Sequence, residues 1–188
     1  MPFAARLVTF TVGLRVTDDY GETDTDTATI GVINVAPELA DLTVTSPIQE
    51  NESATLSGTI VDPGTLDTFT LDVTWGDPLS PGDEQSIELG NTPINTGGVT
   101  WNPATREFTV EHQYLDDNPC GTAADQYEIM LGVRDDDMDP DWWIESFFDV
   151  TVQNVLPEIA PLPDLTGILE GQFISLPPAS FSDAGFDN

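Results

Sequence analysis

The sequence predicts an all-β chain, an antiparallel β-sandwich arranged in tandem repeats, and three observations carry that expectation. Apolar residues alternate with polar ones over short runs, helical periodicity is missing throughout, and Gly, Pro and Asp turns separate the runs. Segments also echo one another at a spacing of about 120 residues, the size of one sandwich domain and too long for a solenoid unit. "LRVTDDYG" at 14–21 returns as "LGVRDDDM" at 131–138, and "VINVAPEL" at 32–39 returns as "VQNVLPEI" at 152–159. "QENESATLSGTIVDPGTLD" at 49–67 is paralleled by "LEGQFISLPPASFSDAGFD" at 169–187, which aligns Glu50 with Glu170, Asp62 with Asp183 and Asp67 with Asp187.

Taken in order, Phe10, Val12, Leu14 and Val16 share one parity, followed after a turn by the alternating Ala28, Ile30 and Val32. Residues 1–36 are therefore expected to be the last two strands of a preceding repeat. One complete domain is expected over 37–157. Its inward positions are Ala54, Leu56 and Ile60; then Phe69, Leu71, Val73 and Trp75; then Phe108, Val110, His112 and Tyr114. Tyr127, Ile129, Leu131 and Val133 follow, and Phe148, Val150 and Val152 close the domain, with Trp75 at the centre of the core. Residues 158–188 are expected to be the first two strands of a following repeat. Hairpins this small are marginal alone, so both end pieces should belong to a longer chain or pair with neighbouring copies.

The 188-residue chain holds 34 acidic residues against four arginines (Arg6, Arg15, Arg106, Arg134) and no lysine, a formal net charge of -30. Such a surface repels phosphate backbones and anionic lipid, which argues against nucleic acid and acidic membranes as partners. Divalent cations are the natural counter-charge. Cys120 is the lone cysteine, so no intrachain disulfide can form. "MPFAARLVTFTVGL" has the make-up of neither a signal peptide nor a membrane span, and a segment cut from inside a larger protein is expected.

"LDVTWGD" (71–77), "FTVEHQYLDDN" (108–118), "YEIMLGVRDDD" (127–137) and "VQNVLPEI" (152–159), in that order, resemble the PKD-type immunoglobulin-like domain of bacterial secreted and surface proteins. The family pattern continues W-G-D with glycine; here Pro78 stands at that position and "PLSPGDEQS" lengthens the turn. The resemblance implies an immunoglobulin-like sandwich outside the cell, in a non-catalytic module used as spacer, adhesive element or accessory to a secreted hydrolase. Expected partners are neighbouring domains of the same chain, and polysaccharide or other surface proteins.

In such a sandwich the loops 62–67 and 135–141 and the incoming linker 34–38 meet at one pole. Asn34, Glu38, Asp62, Asp67, Asp135, Asp136 and Asp137 are the candidate metal ligands, and calcium is the candidate ion, because it gathers six to eight oxygens from carboxylates, amides and carbonyls. The alternative for the same acids is a set of solvated turns. No EF-hand pattern is present. The opposite pole should gather Glu50, Glu52, Asp77, Asp116, Asp117 and the linker 154–158, facing Asp183 and Asp187.

His112, the sole histidine, has inward parity and is expected to be a hydrogen-bonded core residue. Nucleophile motifs, phosphate loops and zinc signatures are missing, and Asp116–Asp117 lack a cleft for glycoside chemistry. The expectation is therefore no enzyme. By parity Trp142, Ile144 and Phe148 face in, while Trp143 and Phe147 face out. These two are the candidate carbohydrate-stacking residues of the alternative function, a carbohydrate-binding accessory module; their other reading is packing beneath the loop 115–126.

Overall fold

The computed structural model describes residues 6–118, 121–141 and 143–185, and all regular structure among them is β-strand. The expectations for Cys120, Trp142 and Asp187 lie outside the described residues. A long hairpin comes first, β1 (Leu7–Thr17) and β2 (Thr23–Ile33), paired antiparallel from Leu7 against Ile33 to Thr17 against Thr23. Its turn is closed by Asp18, whose carboxylate accepts the N–H groups of Tyr20 at 3.0 Å and Glu22 at 2.8 Å.

The body follows as β3 (Glu38–Val44), β4 (Ile48–Gln49), β5 (Ser53–Val61), β6 (Phe69–Thr74), β7 (Glu84–Leu89), β8 (Ile94–Thr96), β9 (Val99–Asn102), β10 (Glu107–Gln113), β11 (Ala124–Asp135) and β12 (Ile144–Gln153). One five-stranded sheet has the order β3-β5-β10-β9-β8, the other β4-β12-β11-β6-β7. Every pairing is antiparallel except the two-residue contact of β4 with β12. Beyond the body lie β13 (Glu158–Ile159) and β14 (Phe181–Ser182), paired antiparallel.

Period-two alternation gives each sheet one apolar face, and the two faces share a single core. Leu56, Ile60, Phe108 and Val110 come from one sheet, Leu71, Val73, Ile129, Leu131, Val133, Val150 and Val152 from the other, all buried. This is sandwich-like packing. Trp75, just past β6, is fully buried and stacks on His112 with ring centroids 5.3 Å apart. His112 Nε2 lies 3.2 Å from Asp77 Oδ2, and the Tyr114 hydroxyl donates to the Trp75 carbonyl at 2.9 Å. His112 is thus tied to Asp77, and Tyr114 to the Trp75 backbone, at the end of β6, while the buried Trp75 indole N–H has no hydrogen-bond partner.

Strand length fixes what lies at each end. β5 has nine residues, so its two ends are about 30 Å apart at the usual rise per residue. Asp62 follows its last residue and Glu50 precedes its first. The loops therefore gather at two opposite poles: a leading pole, where the β1–β2 hairpin joins the body, and a trailing pole, where the chain leaves β12.

Candidate cation site at the leading pole

At the leading pole β6 begins beside the end of β11, with Phe69 opposite Asp135. The loops carrying these ends are clipped together by Thr68 N–H to Asp136 Oδ1 at 2.9 Å and by Asp136 N–H to the Thr68 carbonyl at 3.1 Å. A carboxylate oxygen from each of Asp62, Asp67 and Asp135 then falls within 4.8 Å of the others. That is the spread two oxygens reach on opposite sides of an ion held at about 2.4 Å from each.

Local geometry builds the cluster. Asp62 accepts the Gly64 N–H at 2.6 Å, a turn that brings the chain back on itself. Asp67 then lies directly over Gly64: a Cβ at that position would sit 1.8 Å from Asp67 Oδ2, so only glycine leaves the carboxylate where it is. Arg106 fixes the loop from the opposite side. It closes the β9–β10 turn at φ 58°, and its guanidinium donates to the Asp62 carbonyl at 2.6 Å and to the Gly64 carbonyl while resting over the Phe69 ring. Sequence reasoning missed Arg106, because a lone arginine in a turn carries no signal of which carbonyls it will reach.

Asn34, in the linker after β2, donates its side-chain amide to both oxygens of Asp135, at 3.1 and 3.0 Å. Asp135 is buried, and it also accepts the Asp137 N–H at 2.9 Å. Asp137 in turn takes the Arg6 guanidinium at 2.6 Å, an exposed pair that reaches across to the hairpin. Between hairpin and body lies a cleft of about 290 Å³, lined by Arg6, Val8 and Val32 on one side and by Asp62, Gly64 and Asp67 on the other. Of the seven candidate ligands, then, Asp62, Asp67 and Asp135 converge with Asn34 against them. Asp136 and Asp137 hold the loops and the hairpin, and Glu38 is exposed on β3 opposite Val61.

The electrostatics are those of carboxylates gathered without enough cation. Burial, then the charge of Asp62, pushes the Asp67 carboxyl above its ordinary range. Burial also raises Asp135, against the lowering effect of the Asn34 amide and the Asp137 and Met138 N–H groups. Asp62 Oδ2 is buried with no hydrogen-bond partner. A divalent ion would satisfy that oxygen and offset the repulsion.

The outward aromatics fare differently. Phe147 is exposed on β12, but the Trp143 ring lies over Gly132 and under the Arg134 guanidinium, whose carbon is 4.6 Å from the ring centroid. The packing partner of Trp143 is therefore its own sheet. Among the described residues no helix is long and apolar enough to cross a membrane. No protein-family model and no curated protein matches the chain.

Proposed function

We propose that the chain is part of a non-catalytic, tandem array of immunoglobulin-like domains of the PKD type, serving as spacer or adhesive scaffold of an extracellular or cell-surface protein, with calcium stiffening the junctions. The observation that carries this reading is that the sequence repeat recurs as strand register. In the hairpin Leu14 faces Asp26 and Val16 faces Asp24; 117 residues on for the first partner and 120 for the second, Leu131 faces Ser146 and Val133 faces Ile144. Glu38 faces Val61 and Leu39 faces Ile60, and the same pattern returns as Glu158 facing Ser182 and Ile159 facing Phe181. Phe10, Val12, Leu14 and Val16, exposed on the hairpin, correspond to Tyr127, Ile129, Leu131 and Val133, which the body buries.

On this reading β1 and β2 are the closing strands of a preceding repeat, expected over 1–36, and β13 and β14 the opening strands of a following one, expected over 158–188, on either side of a domain expected at 37–157. The strand order supports the immunoglobulin-like topology, since the first strand is split between β3 on one sheet and β4 on the other. The junction then has a physical role. Asn34 belongs to the linker, and turning its amide about the terminal torsion would present oxygen in place of N–H to an ion held by Asp62, Asp67 and Asp135. The ion would join linker to body beside the Arg6 and Asn34 contacts. The carbohydrate-binding alternative has less behind it, since Trp143 is half-buried and packs against Gly132 and Arg134 of its own sheet.

Thermal melting with calcium and then with chelator tests the reading. Calcium at 100 times its dissociation constant should stabilise the chain by about 2.7 kcal/mol. The gain from this pole should vanish in Asp62→Asn/Asp135→Asn. Superimposable melting curves for the unmodified chain would remove calcium from the account.

A further inference from the structure

The trailing pole carries a second cluster, made by different residues. Glu50, Asp116 and Asp117 place a carboxylate oxygen each within 4.8 Å of one another. Glu50 and Asp117 are each only 3% exposed. The positions are fixed by backbone groups: Glu50 Oε1 accepts the Val155 N–H at 2.7 Å, and the Tyr127 hydroxyl donates to the Asp116 carbonyl at 3.1 Å while accepting the Asn118 N–H at 2.7 Å. Among the described residues no arginine is paired with Glu50 or Asp117. Asp117 Oδ2 is buried without any hydrogen-bond partner. The arginines serve other places: Arg6 and Arg106 the leading pole, Arg134 the Trp143 ring, and Arg15 belongs to β1. A buried carboxylate oxygen with no donor or cation against it is costly enough that the arrangement calls for one.

The chain beyond β14 comes to this cluster. Gly185 lies so close that a Cβ there would fall 2.1 Å from Glu50 Oε2 and 2.8 Å from Asp116 Oδ1. Asp183 is near enough for its charge to act on Glu50. Asp183-Ala184-Gly185 repeats the Asp62-Pro63-Gly64 stretch of the leading pole, where the glycine is likewise pressed against a carboxylate. The same short motif therefore meets acids at both poles, once within the body and once from outside it.

We propose that the trailing pole is a composite calcium site, in which Glu50, Asp116 and Asp117 of the body and Asp183 of the following segment bind one ion jointly. Four carboxylates from three separate stretches of chain supply the oxygen-rich, irregular shell that calcium accepts and that magnesium, with its strict octahedron, does not. Glu50 Oε2 and Asp117 Oδ2 are its innermost donors. The ion would tie the segment 158–185 to the body. Its role rests on the junction reading above, but its binding does not.

Calorimetric titration of the decalcified full chain with calcium chloride tests it. Glu50→Gln/Asp117→Asn should lose one bound equivalent, and Asp183→Asn should weaken that equivalent about tenfold, as expected when a charged ligand is removed. Asp62→Asn/Asp135→Asn should leave the same equivalent in place, so failure of the leading-pole site is separable from failure here. Asp183 lies outside the two body sheets, so its variant keeps the test alive should the double variant not fold. Unchanged stoichiometry and affinity in Glu50→Gln/Asp117→Asn would overturn the proposal; so would a chain that binds no calcium at this pole.

Discussion

His112 shows how one side chain can serve the fold rather than chemistry. Its ring is stacked on Trp75, meets Tyr114 edge-on at 4.7 Å, and sits beside the buried carboxylate of Asp77. Replacing it with leucine fills a similar space but leaves Asp77, 2% exposed, without its partner. The expected cost is about 3–5 kcal/mol in urea unfolding. A loss under about 1 kcal/mol would mean that Asp77 finds other support. The inward parity of His112 announced this role in the sequence. Arg106 and Gly64, which hold the leading-pole loop, were not legible, because both act through backbone carbonyls and close approach, neither of which leaves a periodic trace. Trp101, buried with its indole N–H donating to the Gly90 carbonyl at 2.7 Å, escaped for a related reason: its strand is four residues long.

Among elements, the strands that pack on both neighbours were the readable ones. β5, β6, β10, β11 and β12 alternate cleanly because one face of each is in the core. β7, β8 and β9 went unassigned. β7 is an edge strand with a single buried residue, Leu89, and β8 has three residues, too few for alternation to register. The β1–β2 hairpin is the opposite case, easily read yet poorly supported. All but Val8 of its strand residues are exposed, and the residues flanking it, Arg6 and Asn34, bond to the body. An exposed ion pair contributes at most about 1 kcal/mol, and an isolated hairpin is marginal. Hydrogen exchange of this chain should therefore find the amides of β1 and β2 exchanging many times faster than those of β5, β10 and β11. Equal protection would show that the hairpin is held by more than these contacts.

At the scale of the whole molecule, a net charge of -30 is distributed so that two opposite poles each bury carboxylates that repel one another. The convergence of the loops 62–67 and 135–137 was legible from strand order alone. Which acids would point inward was not, since side-chain direction in a loop follows from clips such as Thr68–Asp136 that no pattern encodes. If these buried carboxylates are places for calcium, as proposed, the stability of the chain against pH must differ between calcium and chelator, and that is the measurement to make. Glu50, Asp67, Asp117 and Asp135 all have carboxyls raised, mainly by burial. Between the ordinary carboxylate range and those raised values the folded chain holds more protons than the unfolded one, so without calcium stability must fall as pH rises through that window. Calcium binds the ionised groups, so its stabilisation must grow over the same window and the two curves must draw apart towards neutral pH. Curves that run parallel, or coincide, would contradict the claim.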